Sequence, residues 1–131
     1  IVKDPRFYTY MDSVIQNPLI HIDHIFIPMR NLYEASQSRL SQGVNKRGGV
    51  WLTSNPKEQE EVLQKMIYDL FLKLSSTKIP ITLLQYPKIT IDPEYLFSKL
   101  QPILFKIDYN EFLEAFSEVV EPGWVNQYNK K

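Results

Sequence analysis

The sequence predicts a layered α/β domain with a partial parallel sheet, about three strands and five helices. Three observations carry that expectation. Short apolar segments alternate along the chain with stretches of helical periodicity, the pattern of strands paired in parallel through crossover connections. Strong helix-start signals, Asn or Asp followed by Pro or an early Glu, recur at Asn55, Asp92 and Asp108. At 131 residues, 44% hydrophobic and 23% charged, the chain has the length and balance of one core and one domain, residues 1–131.

The elements follow in order. Ile1-Val2-Lys3 reads as the end of a buried strand stopped by Asp4-Pro5, since proline removes a ladder donor. Phe7, Tyr10, Met11, Val14 and Ile15 recur at helical spacing, and Asn17-Pro18 ends that helix. His24 to Ile27 is a short strand closed by Pro28-Met29-Arg30, and Asn31 can cap a helix from Leu32 to about Leu40. The segment from Ser41 to Ser54 is a loop holding Gly43, Gly48 and Gly49, three of the four glycines, and Trp51. A long helix follows, with Asn55 as cap, Pro56 in the first turn and a stripe of Val62, Leu63, Met66, Ile67, Leu70, Phe71 and Leu74 facing the core. Ile79 to Leu84 is the next strand. Asp92-Pro93 and Asp108 with Glu111 start the last two helices, the second ending at Glu121-Pro122-Gly123.

Composition narrows the classes of function. Fifteen basic residues balance fifteen acidic ones, so no overall field recruits nucleic acid or an anionic membrane. No apolar run approaches the ~20 residues of a membrane span. The absence of cysteine removes disulfides, thiolate nucleophiles and cysteine-ligated zinc, and fits a reducing, cytoplasmic setting. His21, Asp23 and His24 supply too few ligands for a convincing metal site, so no metal is expected.

Ligands of parallel sheets sit at the C-terminal ends of the strands. Here those ends are Asp4 to Arg6, Pro28 to Ser38 and Gln85 to Thr90. The second is the richest: a strand delivers Arg30, a helix begins at once, and Ser36 and Ser38 follow. A guanidinium fork beside free helix amides suits a phosphate. The competing reading pairs Arg30 with a nearby carboxylate and leaves the serines to solvent.

The strand ending in Arg30-Asn31, with Ser38 eight residues after the arginine, resembles the 3′-phosphate motif of sulfotransferases. Two further segments in the matching order extend the resemblance over nearly the whole chain. Ile1-Val2-Lys3-Asp4-Pro5-Arg6 looks like the Lys-Asp-Pro-Arg strand end of bacterial sulfotransferase-like proteins. Ile81 to Pro87 with Asp92-Pro93-Glu94 resembles the family's later strand, its tyrosine and its Asp-Pro-Glu helix start. Leu32 stands where the family often has proline.

The resemblance implies a P-loop nucleotide-binding frame. It implies sulfuryl transfer from the co-substrate 3′-phosphoadenosine 5′-phosphosulfate to a hydroxyl or amine of a small-molecule or glycan acceptor. Arg30 and Ser38 would hold the 3′-phosphate, with Ser36 and Tyr86 beside it. Lys3 or Arg6 would stabilise charge, and Asp4 would act as base or merely cap the first helix. The family's glycine-rich phosphate loop lies upstream of the Lys-Asp-Pro-Arg strand, and the Gly43–Gly49 loop neither follows a strand nor matches its spacing. That loop reads as a surface loop or a substrate-side lid over Trp51. The chain is therefore expected to be the C-terminal part of a larger domain, inactive alone. A small-molecule kinase on the same frame, or a non-catalytic binding module, are the alternatives.

Overall fold

The computed structural model describes residues 1–4, 7–43 and 49–121. The order is α1 (Phe7–Ile15), β1 (Ile25–Met29), α2 (Leu32–Gln42), a 3₁₀ turn (Pro56–Glu58), α3 (Gln59–Ser75), β2 (Ile81–Gln85), a second 3₁₀ turn (Lys88–Thr90), α4 (Pro93–Leu100) and α5 (Tyr109–Val119). β1 and β2 pair in parallel, Ile25 opposite Ile81 through Met29 opposite Gln85, with α2 and α3 forming the connection between them. Such a pairing needs a long crossover, and the two helices supply it.

The mixed α/β character and the five α-helices among the described residues agree with the sequence. The third strand does not. Among the described residues the sheet has two strands, and Ile1-Val2-Lys3 forms none. Ile1 and Val2 are almost wholly exposed. A strand is stabilised by its neighbour's ladder and by burial of its faces, and these three residues have neither.

Local chemistry sets most of the boundaries. Asn31 caps α2 by accepting the Glu34 N–H, and Asp92 caps α4 by accepting the Tyr95 N–H. Asp108 and Glu111 form a complete capping box at α5. Asn55 caps a 3₁₀ turn and not the long helix itself. Its side chain accepts the Lys57 N–H of a 3₁₀ turn, and Glu58 receives the Asn55 side-chain amide and the Thr53 hydroxyl instead of a backbone donor. Regular α-helix starts only at Gln59. At the far end of α2, Gly43 closes the helix at φ +84°, a conformation that favours glycine.

One side of β1 carries the core. Met11 of α1, Ile27 of β1 and Leu74 of α3 are buried together, and Phe7, Ile15, Ile25, Met29, Leu70 and Phe71 pack around them. The stripe expected on α3 thus faces inward. Two polar links add to it across α1 and α3: Lys73 with Asp12, and the Tyr8 hydroxyl donating to Asp69 at 3.2 Å. A second, aromatic cluster joins α4 and α5, with Phe97 against Tyr109 and Phe112, and Phe112 against Phe116. No helix among the described residues is long and apolar enough to cross a membrane.

The ladder explains a proline inside a strand. Ile25 N–H donates to Pro80 O and Tyr86 N–H donates to Met29 O, so odd-numbered β1 residues and even-numbered β2 residues bond inward. Pro28 therefore faces β1's outer edge, where its missing N–H costs no ladder bond.

Candidate functional site

The C-terminal edge of the two strands brings Arg30 and Tyr86 together. Arg30 is the first residue beyond β1 and Tyr86 the first beyond β2, so parallel pairing in register delivers both to one edge. The Arg30 guanidinium lies 4.8 Å from the centroid of the Tyr86 ring, within cation–π range. The Tyr86–Pro87 peptide bond is cis. Asn31 starts α2 directly after Arg30, which leaves the first-turn amides of that helix at the same edge.

A carboxylate is also present. Glu34 sits one helical turn after Arg30, with its Oε2 3.7 Å from Arg30 Nε, and both side chains are largely shielded. Glu34 and Ser38, four residues apart, share one face of α2, and Arg30 lies just before the helix cap. Glu34 thus stands between the arginine and the serine that the 3′-phosphate motif joins. Ser38 is half-buried about two turns into the helix. Ser36 is buried, and its hydroxyl donates to Tyr33 O at 2.7 Å, a back-bond within its own helix.

The segment expected to carry catalysis is more dispersed. Lys3 is exposed. The Asp4 carboxylate accepts the Tyr10 hydroxyl, and its backbone carbonyl accepts the Phe7 N–H at 3.1 Å, so Asp4 organises the start of α1. Arg6 lies outside the described residues, as does Val44 to Gly48 of the glycine-rich loop. The described end of that loop is pinned to the fold. Arg39 donates to Gly49 O at 3.1 Å with its guanidinium 5.3 Å from the Trp51 ring, and burial pulls its pKa below the usual arginine value.

Beyond Tyr86 the edge opens into a cavity of about 590 Å³ between β2, α4 and α5, lined by Gln85, Lys88, Asp92, Glu94 and Tyr109. Desolvation first, and then the charges of Glu94 and Asp92, push the Tyr109 phenol upward in pKa. Lys88 reaches Asp92 at 3.6 Å and lies 4.6 Å from the Tyr95 ring.

The histidines separate. His21 pairs with Asp23 in solvent at 3.1 Å, while His24 Nε2 meets Thr82 Oγ1 at 2.8 Å and its ring stacks on Phe26. Among the described residues no group of three His, Asp or Glu side chains gathers to hold a metal ion.

Sequence reading allowed for a carboxylate beside Arg30 without naming Glu34, and it missed the part Tyr95 plays at this edge. The i,i+4 offset from Arg30 was a usable signal for Glu34. Nothing local marked Tyr95, whose hydroxyl accepts the Gln85 N–H at 2.9 Å.

Compared with family models, curated proteins and solved structures, the chain matches none.

Proposed function

We propose that this edge binds the 3′-phosphate and purine of 3′-phosphoadenosine 5′-phosphosulfate, within a domain that transfers the sulfuryl group to an acceptor hydroxyl or amine. The observation that carries the reading is the meeting of Arg30 and Tyr86 at the mouth of α2. Arg30 offers a planar fork for phosphate, and the α2 amides add partial positive charge. Tyr86 offers a ring on which a purine can stack. Ser38 would reach the phosphate from the second turn once Glu34 yields Arg30. A glycine-rich phosphate loop would hold the 5′-phosphosulfate. Lys3, Asp4 and Arg6 remain the candidates for charge stabilisation and base at the reacting end.

The test is calorimetric titration of adenosine 3′,5′-bisphosphate and adenosine monophosphate into the intact protein and its Arg30→Ala variant. A bisphosphate preference that falls about ten- to hundredfold in the variant, the size of lost charge-assisted bonds, supports the reading. Equal affinity for the two nucleotides sinks it.

A second reading has its own observations. Arg30 is already paired with Glu34, and Ser36 spends its hydroxyl on Tyr33 O, which suits a binding module without catalysis. A kinase-like relative would instead require a nucleoside triphosphate with magnesium.

A further inference from the structure

We infer that Tyr95 is a positioning residue for the nucleotide edge, holding the end of β2 so that Tyr86 faces Arg30. The inference rests on the nucleotide-site reading above and adds a residue from α4 to it. Gln85 is the last residue of β2, and the ladder directs its N–H to the edge away from β1. Tyr95 supplies the acceptor there, with its hydroxyl oxygen 2.9 Å from the Gln85 nitrogen. The next amide, that of Tyr86, donates in the opposite direction to Met29 O at 2.8 Å. Two consecutive peptide groups are therefore anchored on opposite sides of the strand, which fixes the direction in which the Tyr86 ring leaves the backbone.

Tyr95 is itself held. Its own N–H donates to the Asp92 cap at 2.8 Å, and the Lys88 and Lys99 ammonium groups lie 4.6 and 5.7 Å from its ring centroid. An ammonium over a phenol ring is attracted by its negative face, so one cation from the 3₁₀ turn before α4 and one from the last turn of α4 restrain the ring whose hydroxyl does the holding. The line of influence runs from α4 through Tyr95 to the Gln85 peptide, and from there to Tyr86 and Arg30.

The substitution that isolates this role is Tyr95→Phe, which removes the oxygen and keeps the ring and its cation contacts. Adenosine 3′,5′-bisphosphate is titrated into the intact parent, Tyr95→Phe, Arg30→Ala and the double variant, and amide exchange at Gln85 and Tyr86 is followed by NMR without ligand. The expected result is faster exchange at both amides and an affinity lowered about two- to tenfold, the range for one net hydrogen bond. The loss in the double variant should be smaller than the product of the single losses, because both residues act on one site. Unchanged exchange at Gln85 and Tyr86 in Tyr95→Phe overturns the positioning role even if no nucleotide binds the parent. So does a parent that binds the bisphosphate while Tyr95→Phe binds it equally or combines with Arg30→Ala multiplicatively. Faster exchange with no nucleotide binding in the parent keeps the positioning of Tyr86 and defeats only the nucleotide-site reading.

Discussion

The Arg30 guanidinium lies over the Tyr86 ring, 4.8 Å from its centroid, and joins the C-terminal ends of the only two strands among the described residues. The pair is separated by the whole crossover of α2 and α3, so it reports on tertiary closure as well as on a ligand edge. A guanidinium stacks flat on an aromatic face and still presents N–H donors at its rim, which an ammonium cannot do. Arg30→Lys is therefore expected to lose most of the affinity for adenosine 3′,5′-bisphosphate despite retaining the charge. Tyr86→Phe should bind within about twofold of the parent, and Tyr86→Leu should lose about 0.5–2 kcal/mol of binding. Calorimetry on the three variants checks the order.

Glu34 tests whether that edge is tuned for anions. Its carboxylate competes with any phosphate for Arg30 and repels it from the helix start. Glu34→Gln keeps the side-chain length and removes the charge. Partly shielded ion pairs of this kind contribute about 0.2–1 kcal/mol, so phosphate affinity should rise about 1.5- to 5-fold, with a weaker salt dependence in the parent than in the variant. An affinity that falls instead would mean Glu34 holds Arg30 in its binding position.

Most helix starts were legible because their causes are local. Asn31, Asp92 and Asp108 each find their amide donor two or three residues away, a reach that spacing alone reveals. The stripe on α3 was legible for the same reason. The strand at Ile1 to Lys3 was not, because three apolar-leaning residues cannot say whether a neighbour exists to pair with them. The site divides along the same line. Strand ends could be located, and they do bring Arg30 beside Tyr86. Ser36 could be singled out as a hydroxyl near Arg30, but its burial and its bond to Tyr33 O depend on packing that spacing does not reveal. Tyr95 and Gln85 meet across a turn whose path no pattern encodes.

Asp69 links α1 to α3 and makes the fold sensitive to acid. The hydrogen bond from Lys65 at 2.6 Å lowers its pKa, and the Tyr8 hydroxyl and the charge on Lys73 act in the same direction. A carboxylate whose pKa is lower folded than unfolded contributes stability above its unfolded value and loses it as pH falls through the folded one. The advantage of the parent over Asp69→Asn should thus be complete above the ordinary carboxylate range and shrink as the pH falls through the lower folded value. Thermal melts of both proteins across that range provide the measurement. A difference between them that stays constant with pH would contradict the charge-based account.

Gln59 holds the loop end to the start of α3 by imitating a strand. It is fully buried, its Oε1 accepts the Trp51 N–H at 2.6 Å, and its Nε2 donates to Trp51 O at 3.2 Å. A primary amide is the side chain that offers an acceptor and a donor side by side. Gln59→Ala leaves both backbone groups of Trp51 without that partner and should cost about 1–3 kcal/mol in urea unfolding. Gln59→Glu is the sharper probe. Its carboxylate can accept from the Trp51 N–H but meets Trp51 O with another lone pair, so burial and repulsion raise its folded pKa. Protonated, it offers a donor again and resembles glutamine. The variant should be close to the parent near pH 4 and fall progressively behind as pH rises toward 8, because a raised carboxyl pKa converts deprotonation into lost stability. A deficit independent of pH would show that the shape of the side chain, and not its paired donor and acceptor, secures Trp51.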